Sequence, residues 1–284
     1  MYGHIKSTTR HRKRLGQIFL RDPLVIEQIV MSAALTPHEI VLEIGPGRGA
    51  LTGTLSQRAQ VLYAIEIDER YADGLRQRFA SQPHVHIVHA DARQYDYAQL
   101  PAPLVVVANL PYSMGLPILR HLFVFRQRLS RLIIMLQKEV AARFLAQPGT
   151  SAYSALSVFF QYYAVIRNCF EVSRHAFTPV PAVDSTVLSL TPFAALPWPS
   201  APETFFLSLV KYAFAHRRKT LRANLLAVSH LGLTKMQLAE TFSTLQFQEN
   251  IRPQELHIWQ FAQLAAALHG LLPQSKTAGR RQLQ

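Results

Sequence analysis

Five short apolar runs, "IVLEI" (40–44), "VLYAIEI" (61–67), "VHIVHA" (85–90), "LVVVAN" (104–109) and "LIIMLQ" (132–137), recur with helix-like segments between them. This alternation constrains the fold more than any other feature. A continuous apolar strand is buried on both faces, and strands separated by helices make a parallel sheet covered on both sides. A preceding helix is expected over 22–35, with Asp22 as N-cap and Pro23 at the first helical position. Others start near Ala50 and Glu69, and one covers roughly 152–161. Two further strands, about 163–171 and 185–191, are expected as an antiparallel hairpin at the sheet edge. The stretch "TPFAALPWPSAP" (191–202) carries four prolines and reads as a linker, beyond which the pattern is helical to about residue 268. The expected organisation is a basic segment 1–21, an α/β domain 22–192, a linker 193–202, a helical domain 203–270 and a basic tail 271–284.

The net charge of +13 points to a polyanionic partner, nucleic acid ahead of an anionic membrane. Residues 1–21 contain no acid, and Arg10, Arg12, Lys13 and Arg14 crowd together there. The segment Thr204–Ala239 is also acid-free and carries Lys211, Arg217, Arg218, Lys219 and Arg222. No acid follows Glu255, while Lys276, Arg280 and Arg281 lie in the tail. Any single cluster also fits a solvated face; three on one chain favour contact with RNA or DNA. Within "KYAFAHRRKTLRANLLAV", Leu221, Leu225 and Val228 fall on one helical face, and Lys211, Arg218 and Arg222 form a basic stripe on another. The N-terminus also has the composition of an organelle transit peptide, but it lacks a clear amphipathic pattern. A single cysteine, Cys169, excludes internal disulfides and fits a reducing, cytoplasmic setting. No apolar run reaches the roughly 18 residues of a membrane helix, so no membrane role is expected.

"LEIGPGRGALT" places Gly45, Gly47 and Gly49 at the end of the first apolar run. Glycines there admit a ligand to the backbone, and the following helix start offers free N–H groups. The nicotinamide fingerprint G-x-G-x-x-G fails, because position 50 is Ala. Glu43 before the glycines gives instead the E-x-G-x-G-x-G form of S-adenosylmethionine-dependent methyltransferases, although a tight turn alone would also use glycine. Glu66 lies where doubly wound folds place the carboxylate that accepts from ribose hydroxyls, with Asp68 as competitor and better suited to cap the next helix. Asp91-Ala92, after the third run, suits an adenine amino group or a helix cap. Ligands of such sheets bind outside the strand ends, and three consecutive ends carry suitable residues.

The fourth run ends in Asn109-Leu110-Pro111-Tyr112. The lone pair of an adenine N6 amine is delocalised into the ring. An amide oxygen from Asn109 and a carbonyl from Leu110, accepting its two hydrogens, favour a pyramidal nitrogen aimed at a methyl donor. Pro111 locks the chain direction and Tyr112 offers a face to an unstacked base. The chemistry is positioning plus electrostatics, with no metal and no covalent nucleophile.

With this motif the chain resembles the rRNA adenine N6,N6-dimethyltransferases, the kasugamycin-sensitivity group. The resemblance runs from "RKRLGQIFL" (12–20) through "LQKEVAARF" (136–144), "SAYSALSVFFQYY" (151–163), "AFTPVPAVDSTV" (176–187) and "AFAHRRKTLRANL" (213–225) to "ENIRPQEL" (249–256). It implies a Rossmann-like, mostly parallel methyltransferase sheet with an antiparallel edge strand and a small helical C-terminal domain. It implies a catalytic set of Asn109, Leu110, Pro111 and Tyr112, with Phe177 at the target-base pocket, where plain core packing is the alternative. The implied S-adenosyl-L-methionine contacts are Gln17, Leu20, Gly45, Gly47, Glu66, Asp91, Ala92 and Asn109. Arg12, Lys13, Arg14, Arg217, Arg218, Lys219 and Arg222 are the expected RNA contacts. Two positions depart from the family pattern: Ile18 replaces the usual Asn near the cofactor, and Gly115-Leu116 replaces a hydroxyl-bearing residue before Pro117.

The implied activity is dimethylation of two adjacent adenosines near the 3′ end of small-subunit rRNA, on immature small subunits, by a monomer. Erythromycin-resistance-type methylation of large-subunit rRNA shares the catalytic core. A non-catalytic RNA-binding assembly factor would keep the basic surface without binding cofactor, and a nicotinamide enzyme is disfavoured by Ala50.

Overall fold

The computed structural model describes residues 18–198 and 201–271. Gln17, Arg12, Lys13, Arg14 and the basic tail lie outside the described residues. The described residues form two compact units: those up to Leu145 with Ala164–Ala194, and Ala146–Tyr163 with those from Ala195 onward. The helix expected over 152–161 therefore packs with the second unit, although the sequence pattern set it within 22–192.

The first unit is built on a seven-stranded sheet of β2 (Ile40–Ile44), β3 (Val61–Glu66), β4 (Val85–His89), β5 (Leu104–Asn109), β6 (Leu129–Gln137), β7 (Ala164–Val172) and β9 (Ser185–Pro192). Its order is β4-β3-β2-β5-β6-β9-β7, and the first five strands of that order pair in parallel. Val41, Leu42, Val105, Val106, Val107 and Ile133 are fully buried, as strands covered on both faces require. Helices α1 (Pro23–Ser32), α2 (Thr52–Ser56), α3 (Glu69–Arg78), α4 (Gly115–Val124) and α5 (Lys138–Leu145) belong to this unit. Asp22 caps α1, accepting the Leu24 N–H at 2.9 Å. Helix α2 begins later than Ala50, because residues 47–50 are taken up by the glycine turn.

The expected antiparallel pair forms at one edge, its strands joined by residues 173–184. β9 runs antiparallel to both β6 and β7 and lies between them, leaving β7 at the edge. Burial explains the choice. Val187, Leu188 and Leu190 are fully buried on β9, whereas β7 exposes Val165, Arg167, Asn168 and Cys169. A separate two-stranded ribbon joins β1 (Phe19–Leu20) to β8 (Phe177–Thr178), with Leu20 opposite Phe177.

The second unit is helical, comprising α6 (Ala155–Tyr163), α7 (Glu203–Ala213), α8 (Leu221–Leu226), α9 (Lys235–Thr244) and α10 (Ile258–Leu271). Phe206, Leu209, Leu225, Leu238, Phe261 and Leu264 form its core. Buried Tyr153, just before α6, donates its hydroxyl to the Leu256 carbonyl at 3.0 Å.

The expected basic stripe is not continuous. Helix α7 stops at Ala213 and α8 starts at Leu221, so Lys211, Arg218 and Arg222 do not share one helix face. The cause is buried Asn224. Its Oδ1 accepts the His216 N–H and its Nδ2 donates to the His216 carbonyl, both at 3.1 Å, which stabilises a turn there. Thr220 then caps α8 by accepting the Ala223 N–H at 3.2 Å. Among the described residues no helix is long and apolar enough to cross a membrane.

Candidate active site

β3 and β5 flank β2 on opposite sides, so strand order reverses at β2, where open α/β sheets place their ligands. A cavity of about 410 Å³ opens there, lined by the ends of β2, β3 and β5 and by the β1–β8 ribbon. Gly45 and Gly47 adopt φ of +70° and +54° in the turn after β2, a region that glycine enters without strain. Gly45 donates to the Ile65 carbonyl at 2.9 Å. A Cβ at Gly47 would come within 3.1 Å of the Phe19 ring, so the turn presents bare backbone beneath an aromatic side chain.

Glu66 is buried, and both its oxygens hold backbone. Oε2 accepts the Gly47 N–H at 2.8 Å and Oε1 the Asp68 N–H at 2.9 Å. Each oxygen retains acceptor capacity, so a ligand hydroxyl can still be received. Asp68 accepts the Arg70 N–H at 3.1 Å and caps α3, the role its spacing suggested. Glu43, also on the cavity wall, is 1% exposed, and its Oε2 has no partner among the described residues. Burial pushes its carboxyl up to about 8, so it is protonated at neutral pH. Asp91 behaves oppositely. The forked hydrogen bond from Arg93 holds its carboxyl below the usual range, and it also accepts the Arg93 N–H at 2.9 Å. It is thus both a turn cap and an ionised carboxylate facing the cavity. Ala92 lines the same wall and accepts the Tyr97 hydroxyl at 2.7 Å.

This half of the cavity fits S-adenosylmethionine. The glycine turn leaves room for a ligand against backbone, Glu66 suits ribose hydroxyls and Asp91 an adenine amine, and Ile67, Met114 and Ile118 supply apolar surface.

The turn after β5 adjoins the glycine turn: a Cβ at Gly45 would lie 3.9 Å from the Asn109 carbonyl oxygen and from Pro111 Cδ. Asn109 is half-buried and lines the cavity. Leu110 is buried and donates its N–H to the Met135 carbonyl at 3.4 Å. The Pro111 carbonyl accepts from Met114 and Gly115 at 3.0 and 2.8 Å and so starts α4. Gly115 is the first residue of that helix, where a Cβ would stand 3.3 Å from Leu110 Cβ and 3.5 Å from Leu136. The departure at this position therefore permits close packing beneath the motif. Tyr112 lines the cavity and its hydroxyl meets Ser185 Oγ at 3.0 Å. Phe177 is 1% exposed within the core cluster and also lies on the cavity wall.

Leu20, Gly45, Gly47, Glu66, Asp91, Ala92, Asn109, Leu110, Pro111, Tyr112 and Phe177 thus border one cavity. Ile18 borders it too, half-buried and packed on the core. Sequence reasoning missed Phe19, Arg48 and Tyr71. The Arg48 guanidinium stacks 4.6 Å over Phe19, and Tyr71 meets the same ring edge-on at 5.6 Å. The one available signal was an aromatic residue just before the Asp22 cap. In the second unit Arg218 and Lys219 are exposed, Arg217 donates to the Ser151 carbonyl, and Arg222 lies 3.6 Å from Glu249.

Sheet order, glycine turn and the amide–proline–tyrosine turn together define a Rossmann-like, S-adenosylmethionine-dependent methyltransferase. Comparison with known proteins narrows the class. The family described as ribosomal RNA adenine dimethylase matches residues 8–266, and the chain belongs to that family. A protein named Ribosomal RNA small subunit methyltransferase A, from Geobacter metallireducens, is 41% identical over 267 residues, covering 92% of this chain and 97% of the relative. One of the same name from Shewanella baltica is 37% identical over 257 residues, covering 89% and 93%. Among solved structures, a dimethyladenosine transferase from Plasmodium falciparum superposes with TM-score 0.72 at 25% identity, covering 87% of this chain and 95% of that one. The 23S rRNA methyltransferase ErmE gives 0.66 at 25% identity, covering 88% and 99%.

Proposed function

We propose that this enzyme dimethylates the N6 amines of two adjacent adenosines near the 3′ end of small-subunit rRNA, acting as a cytoplasmic monomer on immature small subunits. The observation that carries the reading is the adjacency of the Asn109 turn to the glycine turn, which brings an amine-accepting amide beside the cofactor cradle. The relatives of highest identity above are named for the small subunit, whereas the large-subunit enzyme ErmE is similar at 25%.

Bound S-adenosylmethionine supplies an electrophilic methyl group. The chain does the rest. Leu20, Gly45, Gly47, Glu66, Asp91 and Ala92 hold the cofactor, with Glu66 toward the ribose and Asp91 toward the adenine. The Asn109 amide oxygen and the Leu110 carbonyl accept hydrogen bonds from the two N–H groups of the unmodified N6, and one of them from the single N–H of the monomethylated amine, directing the lone pair toward the methyl. Each transfer releases one N6 proton to solvent. Tyr112 stacks on the extruded base, and Phe177 closes the same pocket. Arg218 and Lys219, exposed on the turn before α8, contact RNA phosphates, and Arg217 and Arg222 support them.

The test is mass spectrometry of rRNA adenosines after incubating purified protein and S-adenosylmethionine with immature small subunits, and separately with large subunits. N6,N6-dimethyladenosine on the small subunit is expected. Modification confined to the large subunit would favour the erythromycin-resistance type. Unmodified adenosine, identical to an Asn109→Ala control, would sink the reading.

A further inference from the structure

We propose that Ser185 is a positioning residue that holds Tyr112 in the orientation needed to stack on the target base. The inference rests on the reading of Tyr112 as the base platform and adds how that platform is held. Tyr112 lies in the short turn between β5 and α4, and its ring is half-buried on the cavity wall. A ring in such a position turns about two side-chain bonds unless its far end is tethered. The hydroxyl has a tether: it meets Ser185 Oγ at 3.0 Å.

Ser185 is well placed to act as an anchor. It opens β9, is wholly buried, and pairs with Gln137 of β6 on one side and Val172 of β7 on the other. The chain just before it is closed as well. Asp184 accepts the Arg174 N–H on Oδ1 at 2.9 Å, and its carbonyl accepts the Lys138 N–H at 3.0 Å. The segment between Arg174 and Asp184 carries Phe177, itself pinned opposite Leu20 and followed by the short link to Ser185. The Arg21 N–H adds a bond to the Ala176 carbonyl at 2.9 Å. One closed segment therefore presents Phe177 directly and reaches Tyr112 through Ser185. The spacing of the two aromatic walls is set by this strut, and the phenolic hydroxyl serves the ring's orientation rather than proton transfer.

The test is a double-mutant cycle of Ser185→Ala and Tyr112→Phe, read as kcat and as KM for RNA and cofactor, with a melting curve for each variant. Tyr112→Phe keeps the stacking face and removes only the tether. Each single change should lower kcat about three- to tenfold, the span that one hydrogen bond supports. KM for the cofactor should not move, and the double variant should be no slower than either single one. Losses that multiply would overturn the strut, as would a Tyr112→Phe enzyme with wild-type kcat. Should Ser185→Ala fail to fold, Tyr112→Phe decides alone. An inactive wild type would overturn the base-platform reading along with the strut, whereas multiplying losses in an active enzyme overturn the strut only.

Discussion

The glycine turn after β2 and the Asn109–Tyr112 turn after β5 are neighbours at the carboxyl ends of two adjacent central strands, yet they are stabilised by different means. The glycine turn is stabilised through its amides: Gly45 donates to Ile65, Gly47 to Glu66, and Gly49 to Pro46. The second turn uses Pro111, whose ring fixes φ and whose carbonyl starts α4, together with a single side-chain tether from Tyr112 to Ser185. Among the described residues nothing hydrogen-bonds the Asn109 side-chain amide, and that leaves it available to a substrate. On the proposed reading, the turn whose polar groups are largely paired holds the ligand, and the turn that keeps a polar group unpaired carries the catalysis.

Substitutions can break that division. Asn109→Ala should have the largest effect, a fall in kcat of about 10²–10³-fold, with S-adenosylhomocysteine affinity by calorimetry within about threefold of wild type. A comparable loss of cofactor affinity would erase the distinction between the turns. Glu66→Ala should do the reverse: it orphans the Gly47 and Asp68 amides and should weaken cofactor binding about 10- to 30-fold, while kcat at saturating cofactor stays near wild type.

A smaller effect sharpens the glycine side through pH. The folded pKa of Glu43 is raised from 4.5 to about 8 by burial. Between those values the folded state keeps a proton that the unfolded chain has released. The stability from this group is therefore complete below 4.5 and is lost as pH rises through about 8, at up to about 1.4 kcal/mol per pH unit. Melting temperatures from pH 5 to 9 should fall more steeply for wild type than for Glu43→Gln. Equal slopes would show that Glu43 ionises freely. The smallest effect belongs to exposed Arg218 and Lys219, which neither turn uses. Replacing both with Ala should reduce the salt slope of RNA binding by about 0.7 per lost contact for single strands, and leave cofactor binding unchanged.

Strand ends were legible in the sequence because a strand buried on both faces writes itself as an apolar run. The residues closing each run, Gly45, Glu66, Asp91 and Asn109, then fell at predictable positions around one cavity. Features that rest on a specific partner outside the element's own periodicity were not legible. The β1–β8 ribbon pairs Leu20 with Phe177 through strands of two residues each, too short for any periodicity to register. The interruption between α7 and α8 depends on one buried amide, Asn224, in a segment whose apolar spacing reads as helix throughout. Ser185 gave no signal, since a serine opening a strand is common and its partner lies 73 residues earlier.

Glu66 has a consequence beyond the contacts it makes. A glutamate side chain that becomes fixed gives up about 1.5–2 kcal/mol of rotamer freedom. On most protein surfaces that loss occurs when the ligand arrives, and it subtracts from affinity. Here the Gly47 and Asp68 amides hold the carboxylate as soon as the turns after β2 and β3 form. The entropy has already been surrendered during folding, so a ribose bound as proposed would meet an acceptor that has no disorder left to lose.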